Sequence, residues 1–424
     1  MKKRAILPLA LTAALASGAQ AQRPMQLEFW GGWTGPDADV MRDIVAKWNK
    51  EHPNVQVKLT TQQWTPLFQK FVLQARAGNP PDLLALNAPA IPQWADLGTL
   101  TPLDDLIAKA KIKSGDFAAV VWKGSFYQGK QYGIPLDQHM HGLFINADLF
   151  RKAGLDPSKP PRTGKALVDA AIKLTVDANG KHPNEKGFDA SKVRQWGLSI
   201  PTNHHGFYMW YALMAQQGET LLNSAGNQTG YDAGKSQKAW QFLNDLVFKH
   251  KVVPVGSARP ADDFRAGRTA MLIDGAWQLP ALEGQEGLKF VTAPFPQVFS
   301  KPAVWGAGHT LTIPAQKDKA RQQAAFEVAA WIVKNSELWA KAGHIPALKT
   351  AAIKAKSLPG RSAFVNQLQA EVMVPPILKS AEVFSADATS PIVVASQAAL
   401  VANKPLGDVD KAMRTALDRL LSQP

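Results

Sequence analysis

Between residues 25 and 87 the spacing of apolar side chains changes period four times, and few folds accept that alternation. Met25-Gln26-Leu27-Glu28-Phe29-Trp30 alternates apolar with polar, as a strand does. Gly31-Gly32-Trp33-Thr34-Gly35 is a turn, and Pro36 suits the first position of a helix whose first turn carries Asp37 and Asp39. Val40, Met41, Ile44, Val45 and Trp48 then share one face until His52-Pro53-Asn54 stops the helix. Val55, Val57 and Leu59 alternate again. Thr65-Pro66 opens a second helix with Leu67, Phe68, Phe71, Val72 and Ala75 on one side, closed by Gly78. Asp82 leads a continuous apolar run to Leu86, closed by Asn87, the pattern of a strand covered on both faces. Strand, helix, strand, helix, strand predicts a doubly wound α/β lobe. Ligands of such sheets sit beyond the carboxyl ends of the strands, which makes Trp30, Trp33, Gln63, Trp64 and Asn87 candidate contacts.

At 424 residues the chain is too long for one core, so two lobes are expected. The crossing is expected within residues 132–146. There the polar patch Asp137-Gln138-His139 runs into the strand-like Leu143-Phe144-Ile145. A buried strand rarely opens on three polar side chains unless they face a cleft; the competing reading is a surface loop feeding a core strand. A second α/β pattern follows. Helices are expected over 147–153, 165–174 and 238–249, and strands over 196–200 and 270–274. Another helix runs from Asn203-His204-His205 through Trp210. Gly275-Ala276-Trp277 is a strand-to-helix turn. Trp305-Gly306-Ala307-Gly308-His309 leads into 311–314, a candidate second crossing, before a long helix over 320–341.

Lys2-Lys3-Arg4, the apolar stretch 5–16 and Ala19-Gln20-Ala21 have the three parts of a secretory signal peptide, expected to be removed after residue 21. The apolar stretch is too short to span a bilayer. The sequence has no cysteine, which excludes disulfides, thiolate nucleophiles, thiolate metal sites and a lipid-bearing cysteine. The expected location is therefore the periplasm, without a lipid anchor. Net charge is +14, or +11 without Lys2, Lys3 and Arg4. The basic residues are scattered along helices without interleaved aromatics, which argues against nucleic acid as partner.

An enzyme reading has carboxylates to draw on (Asp82, Asp137, Asp274), but no nucleophile, base or metal set stands out, and there is no G-x-S-x-G elbow. A metal receptor would draw on His139, His141, His204, His205 and His309. The H-M-H and H-H spacings are expected to send those side chains in different directions, so neither a metal site nor a cofactor is assigned.

Several motifs resemble, in order, those of the family 1 extracellular solute-binding proteins, the carbohydrate-type periplasmic receptors of ATP-driven importers. They are FWGGWTGPDADVMRDIVAKWNKEHPNVQV, GNPPDLLALN, YGIPLDQHMHGLFINADLFRKAGLDP, FRAGRTAMLIDGAW, ELWAKAGHIPALKTA and DVDKAMRTALDRLL. Gly164-Lys165 departs from the family, which commonly has a Trp and an acidic residue there, and leaves the local helix start open. The resemblance implies two doubly wound lobes joined by hinge strands, as in type II periplasmic binding proteins. Lobe one would hold 22–138 and 309–370, and lobe two 139–308 and 371–424, with crossings near 138–139, 308–309 and 371–375. It further implies ligand contacts from Trp30, Trp33, Thr34 and Asn87 on lobe one and from Asp137, Gln138 and His139 at the hinge. Asp274 and Trp277 match the position of a stacking aromatic, and Trp305, Gly306, Gly308 and His309 match the hinge loop; His205 and Trp210 complete the candidate set.

The implied ligand is a sugar or oligosaccharide, and the implied partners are the membrane permease subunits of the importer, with the receptor itself a monomer. Thirteen Trp against five Tyr suit stacking on pyranose faces, with Asp, Asn, Gln and His satisfying hydroxyls. A phosphorylated polyol such as glycerol phosphate is the alternative. The cleft loops are nearly free of the Lys and Arg that a phosphate would want.

Overall fold

The computed structural model describes residues 23–257 and 259–423, so the expected signal peptide lies outside the described residues. The chain opens with three parallel strands, β1 (Met25–Gly31), β2 (Val55–Thr61) and β3 (Leu83–Asn87). The connections between them are α1 (Pro36–Glu51) and α2 (Trp64–Arg76). Next come β4 (Gly133–Pro135) and the ten-residue β5 (Asp137–Asn146), every residue of which is buried. Later strands are β6 (Met271–Gly275), β7 (Phe290–Pro294), β8 (Val304–Ala307), β9 (His309–Thr312), β10 (Ile345–Pro346) and β11 (Glu371–Val372).

Lobe one is a sheet of order β2-β1-β3-β9-β4. Met41, Ile44, Val45 and Trp48 of α1 bury one of its faces together with Phe326 and Val328. Leu67 and Phe71 of α2 cover the other with Trp30, Leu84 and Trp94. The apolar run 83–86 is therefore a strand covered on both sides, as its composition demands.

Lobe two is built around β5, which pairs antiparallel with β6 through His141 to Ile145, with β7 through Gly142 to Asn146 and with β8 at His139 and Met140. One face carries α3 (Gly164–Leu174), α4 (His204–Gln216) and α5 (Ala233–Phe248), with the helices Pro391–Leu400 and Leu406–Leu421. Phe144, Phe264, Leu279 and Phe364 pack on the other. The Thr163 hydroxyl caps α3 by accepting from the Ala166 N–H, which fixes the helix start beside Gly164.

Three expectations are corrected. Residues 196–200 form isolated bridges rather than a strand, Trp196 with Thr269 and Ser199 with Leu272. Helix α3 crosses so close that a Cβ at Gly197 would lie 2.0 Å from the Ala171 carbonyl oxygen, leaving no room for a regular neighbour. The long helix expected over 320–341 ends early, as α6 (Lys319–Lys334), where the Asn335 side chain donates to the Trp331 carbonyl. The break swings Trp339 into the hinge. Finally, the chain returns to lobe two at β10, where Ile345 opposes Gln138 and Pro346 opposes Asp137, well before 371. Ala352 and Phe364, the latter on α7 (Arg361–Asn366), pack with lobe two rather than lobe one. Gly142 permits this, since a Cβ there would meet the Phe364 ring at 2.6 Å.

Candidate functional site

The crossing strands converge on one carboxylate. Asp137 begins β5 and is fully buried. Its Oδ1 accepts from the His309 backbone N–H (3.0 Å) and from His139 Nδ1 (3.1 Å). Its Oδ2 accepts from His309 Nδ1 (2.7 Å) and from the Trp339 indole N–H (2.6 Å). Burial alone would push this carboxyl up, but the neighbouring His309 and His344 rings and the hydrogen bonds outweigh it and hold it well below the usual range. Burial pushes His139 and His309 down despite Asp137, so both are neutral at neutral pH. An ionised carboxylate only accepts, so each Nδ1 carries the hydrogen. Gly308 lets the second crossing pass: a Cβ there would lie 2.5 Å from the Asp137 carbonyl oxygen.

Aromatic rings from both lobes surround this hinge. From lobe one, half-buried Trp64 stacks on His309 at 5.1 Å and 15°. Buried Trp33 meets Trp64, His309 and Trp339 edge-on. From lobe two, Trp305 stacks on Tyr208 at 4.1 Å and 4°. Half-buried Trp277 lies 5.0 Å from His205, 5.8 Å from His139 and 6.3 Å from Trp305. His141 Nε2 and His205 Nδ1 are 3.1 Å apart and share a hydrogen bond. Burial, followed by the neighbouring histidines, pushes His141 down to about 3 and His205 well below its usual value, and burial takes His204 to about 4. These imidazoles are neutral. Trp64 touches Phe68, and Phe68 touches Trp94. That aromatic run leads from the hinge into a groove of 2090 Å³ between the lobes, bordered by Phe68 and Trp94 on one side and Leu222 and Ile377 on the other.

The remaining candidates divide. Asn87 is half-buried opposite His309, and Thr34 and Gln63 are exposed. Asp274 is 6 % exposed at the end of β6 and accepts from the Gly275 N–H and from Gln278 Nε2. Trp210 is corrected to the core: it is fully buried, stacks on Trp240 at 5.6 Å and donates its indole N–H to the Ser236 carbonyl. Trp30 likewise packs among Leu67, Leu84 and Trp94, with Lys70 Nζ 4.1 Å over its ring. Gln138 is buried opposite Ile345, on the face of β5 away from His139. Gly306 makes room for a side chain rather than a ligand, since a Cβ there would meet the Glu371 carboxyl at 2.4 Å. Burial, with the Asp137 charge adding, pushes that carboxyl well above its usual range, and neither oxygen has a hydrogen-bond partner among the described residues.

Residues 32–337 match the sequence model for the bacterial extracellular solute-binding proteins. The chain belongs to that family. Members of this family are solute-binding receptors rather than enzymes. Among its relatives, the sn-glycerol-3-phosphate-binding periplasmic protein UgpB of Pectobacterium atrosepticum is 25% identical over 365 residues, 80% of this chain and 76% of that protein. The ABC substrate-binding protein Lmo0181 of Listeria monocytogenes, solved with cycloalternan, superposes with a TM-score of 0.77 at 23% identity, covering 94% of this chain and 98% of that one. A solute-binding protein of Thermotoga lettingae bound with alpha-D-tagatose gives 0.79 at 22% identity, covering 94% and 100%. The fold is thus the two-lobed α/β fold of the type II periplasmic binding proteins.

Within this solute-binding protein, sequence reasoning missed Tyr208, Trp339 and His344. His141 was weighed only as a metal ligand, and its direction was misjudged. A strand has period two, so Asp137, His139 and His141 share one face of β5 rather than diverging. Asp274 offers a test of the site's electrostatics. Burial raises its carboxyl to about 6, while the Gly275 N–H and Gln278 oppose the shift. The unfolded chain titrates near 3.9, so the native state holds the extra proton between those values. Raising the pH from about 4 to about 6 therefore weakens the fold through this group, and the effect levels off above its folded value. Urea titrations across that window should show wild type losing stability relative to Asp274→Asn; a constant difference refutes the assignment.

Proposed function

We propose that this protein is the periplasmic, unanchored and monomeric receptor of an ABC importer, capturing a neutral sugar or oligosaccharide between its lobes and passing it to the permease, without catalysis. The observation that carries this is the wall of Trp64, Trp277 and the Trp305–Tyr208 pair around histidines that burial keeps uncharged. A pyranose offers an apolar CH face for the indoles and hydroxyls for the ring nitrogens. The names of the solved neighbours, bound to cycloalternan and tagatose, support the same class. The groove beyond Phe68 and Trp94 has room for further sugar units.

A phosphorylated polyol is the second reading, favoured by the relative named for sn-glycerol 3-phosphate. A phosphate calls for cationic donors. Among the described residues Asp137 takes its side-chain hydrogen bonds from His139, His309 and Trp339 rather than from Lys or Arg, and burial holds His139, His141, His205 and His309 neutral, so the sugar is preferred. A thermal-shift screen of the mature protein against mono-, di- and oligosaccharides, with sn-glycerol 3-phosphate alongside, separates the two. A sugar should raise the melting temperature and, at saturation, lower the radius of gyration in small-angle scattering as the lobes close. Incubation with that sugar should release no new reducing ends. Stabilisation by the phosphate ester alone, or sustained hydrolysis, overturns the proposal.

A further inference from the structure

Four side chains at the hinge have a geometry that ligand capture does not require. Asp137, His139, His309 and His344 each place one ligating atom so that all four lie within 4.8 Å of one another, and all four residues are buried. They come from separate crossings: β5 supplies Asp137 and His139, β9 begins with His309, and His344 directly precedes β10.

His344 supplies a second, independent observation. Its side chain is 2 % exposed, it lies flat on Trp339 (5.0 Å, 3°), and neither ring nitrogen has a hydrogen-bond partner among the described residues. A buried polar group left unpaired in this way is costly to the fold. Both nitrogens nevertheless point at carboxylates just beyond bonding range. Nδ1 is 3.9 Å from Asp137 Oδ2, and Nε2 is 4.0 Å from Asp37 Oδ2.

We propose that Asp137, His139, His309 and His344 form a binding site for a divalent transition-metal ion of the zinc type, with Asp37 as the outer partner of His344. Three imidazoles and one carboxylate make a four-coordinate set typical of zinc, with bonds of about 2.0–2.2 Å and hence neighbouring ligand atoms about 3.3 Å apart. His139 and His309 already direct Nδ1 at Asp137 at 3.1 and 2.7 Å. Entry of the ion needs each of these two neutral rings to move its single N–H from Nδ1 to Nε2, and Asp137 is already ionised, so they release no proton. The Trp339 indole N–H stays on Asp137 and orients it, while Asp37 accepts from His344 Nε2, the carboxylate–histidine–metal arrangement that fixes ring and tautomer. An ion held by ligands from three crossings would tie the lobes together at the hinge. The inference does not rest on the nature of the transported ligand.

The test uses metal alone. The purified mature protein is stripped with a chelator and titrated with Zn²⁺ against a chromophoric competitor, and in parallel with Co²⁺. One zinc per chain and the intense visible bands of four-coordinate Co²⁺ are expected. Asp37→Asn should weaken zinc binding by about 10–100-fold, the usual effect of losing an outer partner, and His344→Gln by more. Asp37 is partly exposed, so that variant tests the site even if His344→Gln folds poorly. No stoichiometric zinc, a pale six-coordinate Co²⁺ spectrum, or unchanged zinc affinity in both variants overturns the proposal. Zinc lost in His205→Gln but kept in His344→Gln also overturns it, by moving the ion to the other histidine cluster.

Discussion

Asp137→Asn should remove about 3–5 kcal/mol of stability, the usual consequence of breaking a buried, fully paired charge. Four donors converge on the carboxylate, from Trp339, the His309 backbone and the His139 and His309 rings. An amide can accept at only one atom, and its NH₂ would face donors. The pH dependence carries the sign of a depressed acid. The folded carboxyl lies well below its unfolded value of about 3.9. Its contribution is therefore complete above about pH 4 and fades as the pH falls through the folded value. Urea denaturation in metal-free buffer should show the wild-type advantage at pH 7 and its erosion under stronger acid. A variant within 1 kcal/mol of wild type at pH 7 would show that the carboxylate does not hold the crossings together.

The hinge also shows what the sequence could express. The opening βαβαβ unit was legible because each element has its own period and its own stop, and those signals are local. So was the crossing at Asp137-Gln138-His139, because three polar residues ahead of an apolar strand are unusual in a core. The pairing of that crossing was not legible. His344 and Trp339 lie about 200 residues further along the chain, and nothing near them in sequence announces that they will meet Asp137. Trp210 was misassigned for a related reason. It shares α4 with His205, but α4 is buried nearly all round, and the face carrying Trp210 packs on Trp240. A helix without a polar face gives no indication of which side looks into a cleft.

Trp277→Ala should weaken sugar binding by about 1–3 kcal/mol, roughly ten- to a hundredfold, as expected for an aromatic anchor. The ring is half-buried, edge-on to Trp305, and lies over Gly275, where a Cβ would come within 2.0 Å of it. This placement separates it from Trp210. Truncating a fully enclosed Trp costs about 3–5 kcal/mol of stability, whereas Trp277 packs on the lobe-two core with only part of its surface and leaves the rest exposed, so its loss should fall mainly on affinity. Gly275→Ala provides a companion measurement, because the added methyl must push the indole off its seat while leaving the ring in the chain. Both variants should bind the best sugar from the screen more weakly, by calorimetry, with unfolding midpoints near wild type. A large drop in midpoint with near-normal affinity in Trp277→Ala would instead make the ring part of the packing between β6 and the turn that follows. The stacking surface of lobe two would then reduce to Trp305 and Tyr208.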